Sequence, residues 1–140
     1  MATLQRAVEI ATEAHKNQVD KNKDPYILHI LRVMNAGRTI NEKIVGILHD
    51  LIEDTSWTFG DLEREGFSEE VVDAIKCLTK KEDEDYNQFV ERVKTNSLAI
   101  KIKINDLLDN LDIKRLNEVT DKDIPRLNKY LTAYGKLINL

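Results

Sequence analysis

The sequence predicts an all-α fold, a compact bundle of about seven or eight helices. Three observations support this prediction. Apolar residues recur at helical spacing in one segment after another, and residues that cap helices stand in the breaks between those segments. No linker or repeat divides the 140 residues, which correspond in length to one domain, so we expect residues 1–140 to form a single unit.

The first part of the chain contains three predicted helices. Apolar residues within 4–15 follow one face of a first helix. The dipeptide Asp24-Pro25 is typical of an N-cap followed by the first helical residue, which predicts a second helix that continues to about Arg38. A third helix is expected to begin at Asn41, because apolar residues recur at helical spacing from there.

Capping residues mark the helices in the middle of the chain. Thr58 and Asp61 resemble a capping box, and Gly66 is expected to end the short helix that they begin. Ser68 is expected to cap the next helix. Apolar spacing that starts at Tyr86 predicts another helix after it.

The segment 99–104 is ambiguous when it is considered alone, because its apolar residues alternate as they would in a strand. A longer window restores helical spacing, which is carried by Ile100, Ile104, Leu107, Leu108 and Leu111. A strand here would also have no partner elsewhere in the chain, so we predict a helix. The last helix is expected to run from about residue 123 to residue 138.

Charge and hydropathy argue against two classes of partner. Lys and Arg total 21 and Asp and Glu total 25, which gives a net charge of −4 and a pI of about 5.4. Proteins that bind nucleic-acid backbones usually carry a basic excess, so we expect no nucleic-acid partner. Without a hydrophobic signal region or an apolar run of about 18 residues, we expect no membrane partner. These features and the single cysteine, Cys77, favour a reducing cytoplasm.

His49 and Asp50 begin a cluster of polar residues on an apolar background. Glu53 and Asp54 follow about one helical turn later, so on a continuous helix all four side chains lie on neighbouring edges. Three carboxylates this close repel one another unless a divalent cation neutralises them. A solvated helix end would give the same pattern.

Asp106 is a second candidate, because a carboxylate among Ile104, Leu107 and Leu108 needs a partner. Two of the three histidines, together with Asp50 and Asp106, would form a mixed nitrogen and oxygen ligand set. Such a set favours a six-coordinate ion such as Mn²⁺ or Fe²⁺ over structural zinc. His15, by contrast, lies on the apolar stripe of the first helix, where a structural role in the core explains it at least as well as a role in the site.

Five blocks that occur in order along nearly the whole chain carry a family resemblance. They are Ala14–Gln18, Pro25–His29, His49–Thr55, Leu78–Lys80 and Lys103–Asn110. In these blocks the sequence resembles the HD-domain metal-dependent phosphohydrolases, and among them the hydrolase domains of RelA/SpoT-type alarmone enzymes and their small stand-alone relatives. The resemblance implies an HD domain that removes pyrophosphate from the ribose 3′ position of ppGpp or pppGpp, leaving GDP or GTP.

The same resemblance implies roles for particular residues in metal binding and catalysis. The implied metal ligands, which usually hold manganese in this family, are His29, His49, Asp50 and Asp106. The acid pair Glu53 and Asp54 is implied to orient or activate the attacking water.

Substrate contacts are also implied by the resemblance, for Lys21, Asn110, Arg126 and Tyr130. Asp20 departs from the family pattern, because it stands where the family has an arginine that stacks on the base. A carboxylate cannot stack in that way, so the identity of the base is left open.

Alternatives to alarmone hydrolysis also fit the sequence. The chain could be an HD phosphohydrolase for another nucleotide or phosphorylated metabolite, a non-catalytic HD domain that binds a nucleotide, or a helical interaction module without metal. Intact Glu53 and Asp54 argue against the non-catalytic domain. The length leaves no room for a synthetase domain, so alarmone synthesis is not expected, and the sequence does not predict the oligomeric state.

Overall fold

A computed structural model describes residues 1–139, and these residues fold into nine α-helices and one short 3-10 helix. The α-helices are α1 (Leu4–Ala14), α2 (Ile27–Ala36), α3 (Ile40–Leu48), α4 (Leu51–Asp54), α5 (Phe59–Glu65), α6 (Glu69–Leu78), α7 (Tyr86–Val93), α8 (Ser97–Asn110) and α9 (Asp123–Ile138). The 3-10 helix is Ile113–Arg115. The all-α prediction is confirmed, and the predicted helix number is met if α3 and α4 count as one interrupted helix. No helix within residues 1–139 has both the length and the apolar character needed to cross a membrane.

The capping residues act as the sequence predicts. The Thr58 side chain accepts the backbone N–H of Asp61, and the Asp61 side chain accepts the backbone N–H of Thr58, which completes a capping box at α5. Gly66 ends α5 in the left-handed region, at φ 93°, where a side chain would be strained. Ser68 caps α6 by accepting the backbone N–H of Val71.

The start of α2 differs from the prediction, because the helix begins at Ile27 rather than at Pro25. Val19 and Pro25 form an isolated antiparallel bridge, and the backbone N–H of Asp20 donates to the carbonyl of Asp24. These contacts, made with residues earlier in the chain, hold Pro25 outside the helix. The segment 99–104, by contrast, lies within α8 as predicted.

Helices α2, α3 and α8 pack against one another and carry polar residues into the core. A buried polar residue is the sequence neighbour of a fully buried apolar one in α2 (His29 and Ile30), at the end of α3 (His49 and Leu48) and in α8 (Asp106 and Leu107). Burial of each large apolar side chain contributes roughly 1.5–3 kcal/mol. The apolar core therefore offsets part of the cost of burying its polar neighbours.

Gly46 allows α2 and α3 to approach closely. A methyl group at this position would lie 3.0 Å from Cα and 3.2 Å from the backbone nitrogen of Met34. Because these neighbours are backbone atoms, we expect Gly46→Ala to force the helices apart and to lower the free energy of unfolding by about 1–3 kcal/mol. Urea denaturation measures this difference.

Gly135 in α9 is the matched control for Gly46. A methyl group there meets no heavy atom within 4 Å. Since alanine favours the helix over glycine, we expect Gly135→Ala to raise the free energy of unfolding by about 0.5–1 kcal/mol. A stabilising effect of Gly46→Ala as well would contradict the tight contact between α2 and α3.

Candidate metal centre and adjoining pocket

The chain leaves helical geometry at Asp50, between α3 and α4. His49 keeps helical dihedral angles, whereas Asp50 has φ −101° and ψ 0°. The expectation of one continuous helix from His49 to Asp54 is therefore wrong. The Asp50 carboxylate makes no cap bond to α4 and instead contacts His49 and Tyr26, so interior contacts favour the break.

His49 presents one ring nitrogen to the interior. Its Nδ1 lies 2.6 Å from the carbonyl oxygen of Gly46. Because a carbonyl only accepts, Nδ1 carries a proton, and Nε2 is the ring nitrogen that can offer a lone pair to a metal. Burial opposes protonation of the ring, but Asp50 and Asp106 raise the pKa of His49 well above its usual range. Nε2 is buried without a hydrogen-bond partner, although oxygens of Asp50 and Asp106 lie 3.1 Å and 3.4 Å away.

His29 is held in the same manner from the other side. Its Nδ1 lies 2.6 Å from Oδ2 of Asp109, an ionised carboxylate that accepts a hydrogen bond from Nδ1–H. Burial opposes that ionisation, but the hydrogen bonds from His29 and Arg32 lower the pKa of Asp109 to about 2. Nε2 faces Oδ1 of Asp106, 2.9 Å away. Burial opposes protonation of the ring, but the hydrogen bonds with Asp106 and Asp109 raise the pKa of His29.

These residues fit a divalent metal ion. One ligand atom each from His29, His49 and Asp50 lies within 4.8 Å of the other two. Ring nitrogens and carboxylate oxygens this close need a proton or a cation between them. Histidine ligands whose second ring nitrogen is hydrogen-bonded, together with a carboxylate, are typical of metal sites. The three residues therefore form a buried group able to hold a metal.

Asp106 lies beside this group, and both of its oxygens have polar partners. Oδ1 faces the two histidines and accepts from Nδ2 of Asn110 at 3.1 Å, and Oδ2 accepts from Nζ of Lys103 at 2.9 Å. Burial opposes ionisation, but Lys103 and the histidines outweigh it and lower the pKa of Asp106 well below its usual range. The carboxylate is therefore ionised and fixed in direction.

Glu53 and Asp54 lie in α4 and are more exposed than His29, His49 and Asp50. Oε1 of Glu53 accepts the backbone N–H of Lys80. Partial burial raises the pKa of Glu53, and partial burial together with the charge of Asp50 raises the pKa of Asp54. Both carboxylates are therefore stronger bases than a fully solvated one.

A cavity of 480 Å³ adjoins the group. Tyr26 and Asn110 line the cavity and also reach the group, because the Tyr26 hydroxyl donates to Oδ2 of Asp50 at 2.5 Å and Asn110 donates to Asp106. The four residues for which the sequence implies substrate contacts all line this cavity: Lys21, Asn110, Arg126 and Tyr130.

Charged side chains of both signs line the cavity. The cations are Lys21, Arg115 and Arg126, and the anions are Asp20 and Asp112. Burial and the neighbouring Arg126 lower the pKa of Lys21. Cations that are brought together against their own repulsion favour the binding of an anion.

Asp20 has a structural task in the loop before α2. Its Oδ1 accepts the backbone N–H groups of Asn22 at 2.8 Å and Asp24 at 3.0 Å. Its Oδ2 lies 3.9 Å from a terminal nitrogen of Arg115. The carboxylate therefore shapes the loop that carries Lys21 to the cavity.

Sequence reasoning assigned no role to several residues of this region. They are Tyr26, Lys103, Asp109 and Arg115. Lys103 had a local signal, because a residue three positions before Asp106 on a helix lies on the same face. Asp109 had none for its contact with His29, which is 80 positions away in the sequence.

Comparisons with known proteins agree with this arrangement. No protein-family model matches the chain. It is 31% identical to the guanosine-3′,5′-bis(diphosphate) 3′-pyrophosphohydrolase of Aquifex aeolicus (strain VF5), over 77% of this chain and 17% of that protein. It is 25% identical to the guanosine-3′,5′-bis(diphosphate) 3′-pyrophosphohydrolase MESH1 of Drosophila melanogaster, over 99% of this chain and 84% of that protein.

A solved structure, described as a metazoan orthologue of SpoT that hydrolyses ppGpp, has the same fold. It superposes with a TM-score of 0.79 at 24% identity, over 99% of this chain and 85% of that chain. An all-α bundle of this kind is an HD-type domain. The chain belongs to the family of the SpoT/RelA-type (p)ppGpp hydrolase domains, and it spans about a sixth of the length of the long bacterial relatives.

Proposed function

We propose that this chain is a metal-dependent phosphohydrolase that removes pyrophosphate from the ribose 3′ position of ppGpp or pppGpp, leaving GDP or GTP. The observation that carries the proposal is the buried group of His29, His49 and Asp50 beside a cavity whose lining includes Lys21, Arg115 and Arg126. The activity named for the Aquifex and Drosophila relatives supports this choice of substrate.

Four residues are proposed to hold the ion: His29, His49, Asp50 and Asp106. Asp106 is included because its Oδ1 lies close to Nε2 of both histidines. The mixed nitrogen and oxygen set suits Mn²⁺, and other divalent ions fit the same ligands. A divalent ion bound here offsets negative charge on phosphoryl oxygens and lowers the pKa of a nearby water.

The chain's own side chains are proposed to supply the remaining chemistry. Glu53 or Asp54 accepts the proton that the attacking water loses, a task favoured by their raised pKa values. Lys21 and Arg126 bind the phosphates from the side of the cavity. Asn110 and Tyr130 line the part of the cavity that receives the nucleoside.

The test is a product assay with the Mn²⁺-loaded chain. Incubation with ppGpp or pppGpp is expected to release pyrophosphate and to leave GDP or GTP, in amounts that depend on Mn²⁺. A panel of other nucleotides and phosphorylated metabolites is assayed in parallel. The panel is needed because Asp20 stands at the position of a base-stacking arginine.

Each alternative function predicts a different result in this assay. Turnover of another phosphate ester but not of the alarmones would make the chain a phosphohydrolase of different specificity. Saturable nucleotide binding with metal but without product would make it a non-catalytic binding domain. A chain that binds neither metal nor nucleotide would be a helical interaction module.

The loop role of Asp20 leads to a prediction about KM. Asp20→Ala removes the acceptor of two backbone hydrogen bonds, each worth roughly 0.5–1.5 kcal/mol. Because the loop carries Lys21, we expect the KM for the alarmone to rise about 5- to 30-fold while Mn²⁺ affinity stays unchanged. Steady-state kinetics and calorimetric Mn²⁺ titration measure the two quantities.

Asp20→Asn is the control for this change, since its amide oxygen can accept both backbone N–H groups. We expect it to keep a KM close to that of the unmodified chain. If Asp20→Ala leaves KM unchanged, the loop does not position a substrate contact.

A further inference from the structure

A second carboxylate in α8 contacts His29 and has no place in the proposed ligand set or in the lining of the cavity. Oδ2 of Asp109 lies 2.6 Å from Nδ1 of His29, whereas the other ring nitrogen, Nε2, faces the metal-binding group. The Asp109 side chain is only 11% exposed. A buried carboxylate is costly unless it is paired, so the contact needs an explanation.

We propose that Asp109 is a positioning residue that orients His29 for metal binding. This inference rests on the proposed function, because it assumes that the group holds a metal ion. The carboxylate can only accept, so it keeps the proton on Nδ1 and leaves the Nε2 lone pair free for a metal. It also fixes the rotation of the ring, because turning the imidazole would break the Nδ1 hydrogen bond.

Asp109 is itself held by two arginines. Nε of Arg32 donates to Oδ1 at 2.7 Å and its terminal nitrogen donates to Oδ2 at 3.2 Å, which gives a side-on pair. A terminal nitrogen of Arg115 donates to the backbone carbonyl of Asp109 at 2.6 Å and to Oδ2 at 3.5 Å. The carboxylate therefore cannot swing away from the histidine without losing contacts from α2 and from the 3-10 helix.

The geometry of α2 supports this assignment. His29 and Arg32 are three positions apart on one helix, so they share a face and both reach Asp109. The packing of α2 on α8 thus sets the direction of His29 through one carboxylate. Loss of such an outer hydrogen-bond partner typically weakens metal binding about 10- to 100-fold.

The test compares Mn²⁺ affinity among three forms of the chain by calorimetric titration. We expect Asp109→Ala to weaken Mn²⁺ binding about 10- to 100-fold, because the ring is then free to turn. Asp109→Asn is expected to fall between it and the unmodified chain, since the amide oxygen can still accept from Nδ1. If Asp109→Ala does not fold, the Asn variant alone decides, through its Mn²⁺ dissociation constant.

Glu84→Gln is the matched control for Asp109→Asn. The Glu84 side chain is 10% exposed and accepts from Nε and a terminal nitrogen of Arg92 at 2.8 Å and 2.9 Å, without contact to a histidine. Both changes are expected to lower the melting temperature of the metal-free chain, because each disrupts an arginine pair. Only the change at Asp109 is expected to weaken Mn²⁺ binding.

Kinetics provide a second readout. At saturating Mn²⁺ we expect the Asp109→Asn variant to keep the KM of the unmodified chain and to recover most of its kcat. Equal Mn²⁺ affinity of the unmodified chain and both Asp109 variants would overturn the role of Asp109 and leave the proposed function intact. Failure of the unmodified chain to bind Mn²⁺ would instead contradict the proposed metal centre, and the positioning role with it.

Discussion

Replacing Asp50 with alanine is expected to abolish stoichiometric Mn²⁺ binding and pyrophosphate release while the chain remains folded. Asp50 offers an oxygen within 4.8 Å of the ligand nitrogens of His29 and His49, so its removal deprives the ion of one of its two proposed carboxylate ligands. The expected loss of affinity exceeds the roughly 10- to 100-fold cost of removing an outer partner. Helix content is expected to persist, because the Asp50 side chain makes no cap bond to α4.

Metal content after dialysis, calorimetric titration and circular dichroism check these three expectations. Asp73→Ala is the matched control, since it makes the same chemical change on an exposed position of α6. It is expected to retain Mn²⁺ and activity. Retention of stoichiometric Mn²⁺ by Asp50→Ala would contradict its assignment as a ligand.

The helices were predictable from the sequence because their signals are local. The capping box at α5 and the left-handed Gly66 depend on residues within one or two turns. The start of α2 was not predictable in this way. It depends on the bridge between Val19 and Pro25, which forms only when a preceding loop folds back on the chain.

The break at Asp50 has the same kind of cause. A continuous helix from His49 to Asp54 satisfies every local preference, and only the interior contacts of the Asp50 side chain favour the interruption. Tyr26, one of these contacts, lies 24 positions earlier in the sequence. Sequence periodicity therefore placed these residues close together but in the wrong local geometry.

The candidate site was predictable in part, through the family resemblance rather than through spacing. The resemblance named His29 and Asp106, which lie 77 positions apart and meet only because α2 packs on α8. It gave no role to Asp109, whose contact with His29 depends on the same packing. Residues that orient ligands lack a motif of their own, so only the structure identifies them.

Glu53→Gln is expected to lower kcat by about 10²- to 10⁴-fold while Mn²⁺ binding is retained. Glutamine keeps an oxygen that can accept the backbone N–H of Lys80, the hydrogen bond that Glu53 makes in this structure. The contact with the segment after α6 therefore survives the change. What is lost is the negative charge that accepts a proton from water.

Asp54→Asn separates the two members of the acid pair. The pKa of each carboxyl is raised by partial burial, so either is suited to accept a proton. Single-turnover kinetics with saturating Mn²⁺ measure the chemical step for both variants, with Glu82→Gln, at an exposed position, as the control for a lost surface charge. If Glu53→Gln retains full turnover and Asp54→Asn does not, Glu53 serves to hold Lys80 and Asp54 is the proton acceptor. If both variants retain full turnover, neither carboxylate acts on the water and the proposed acid pair is wrong.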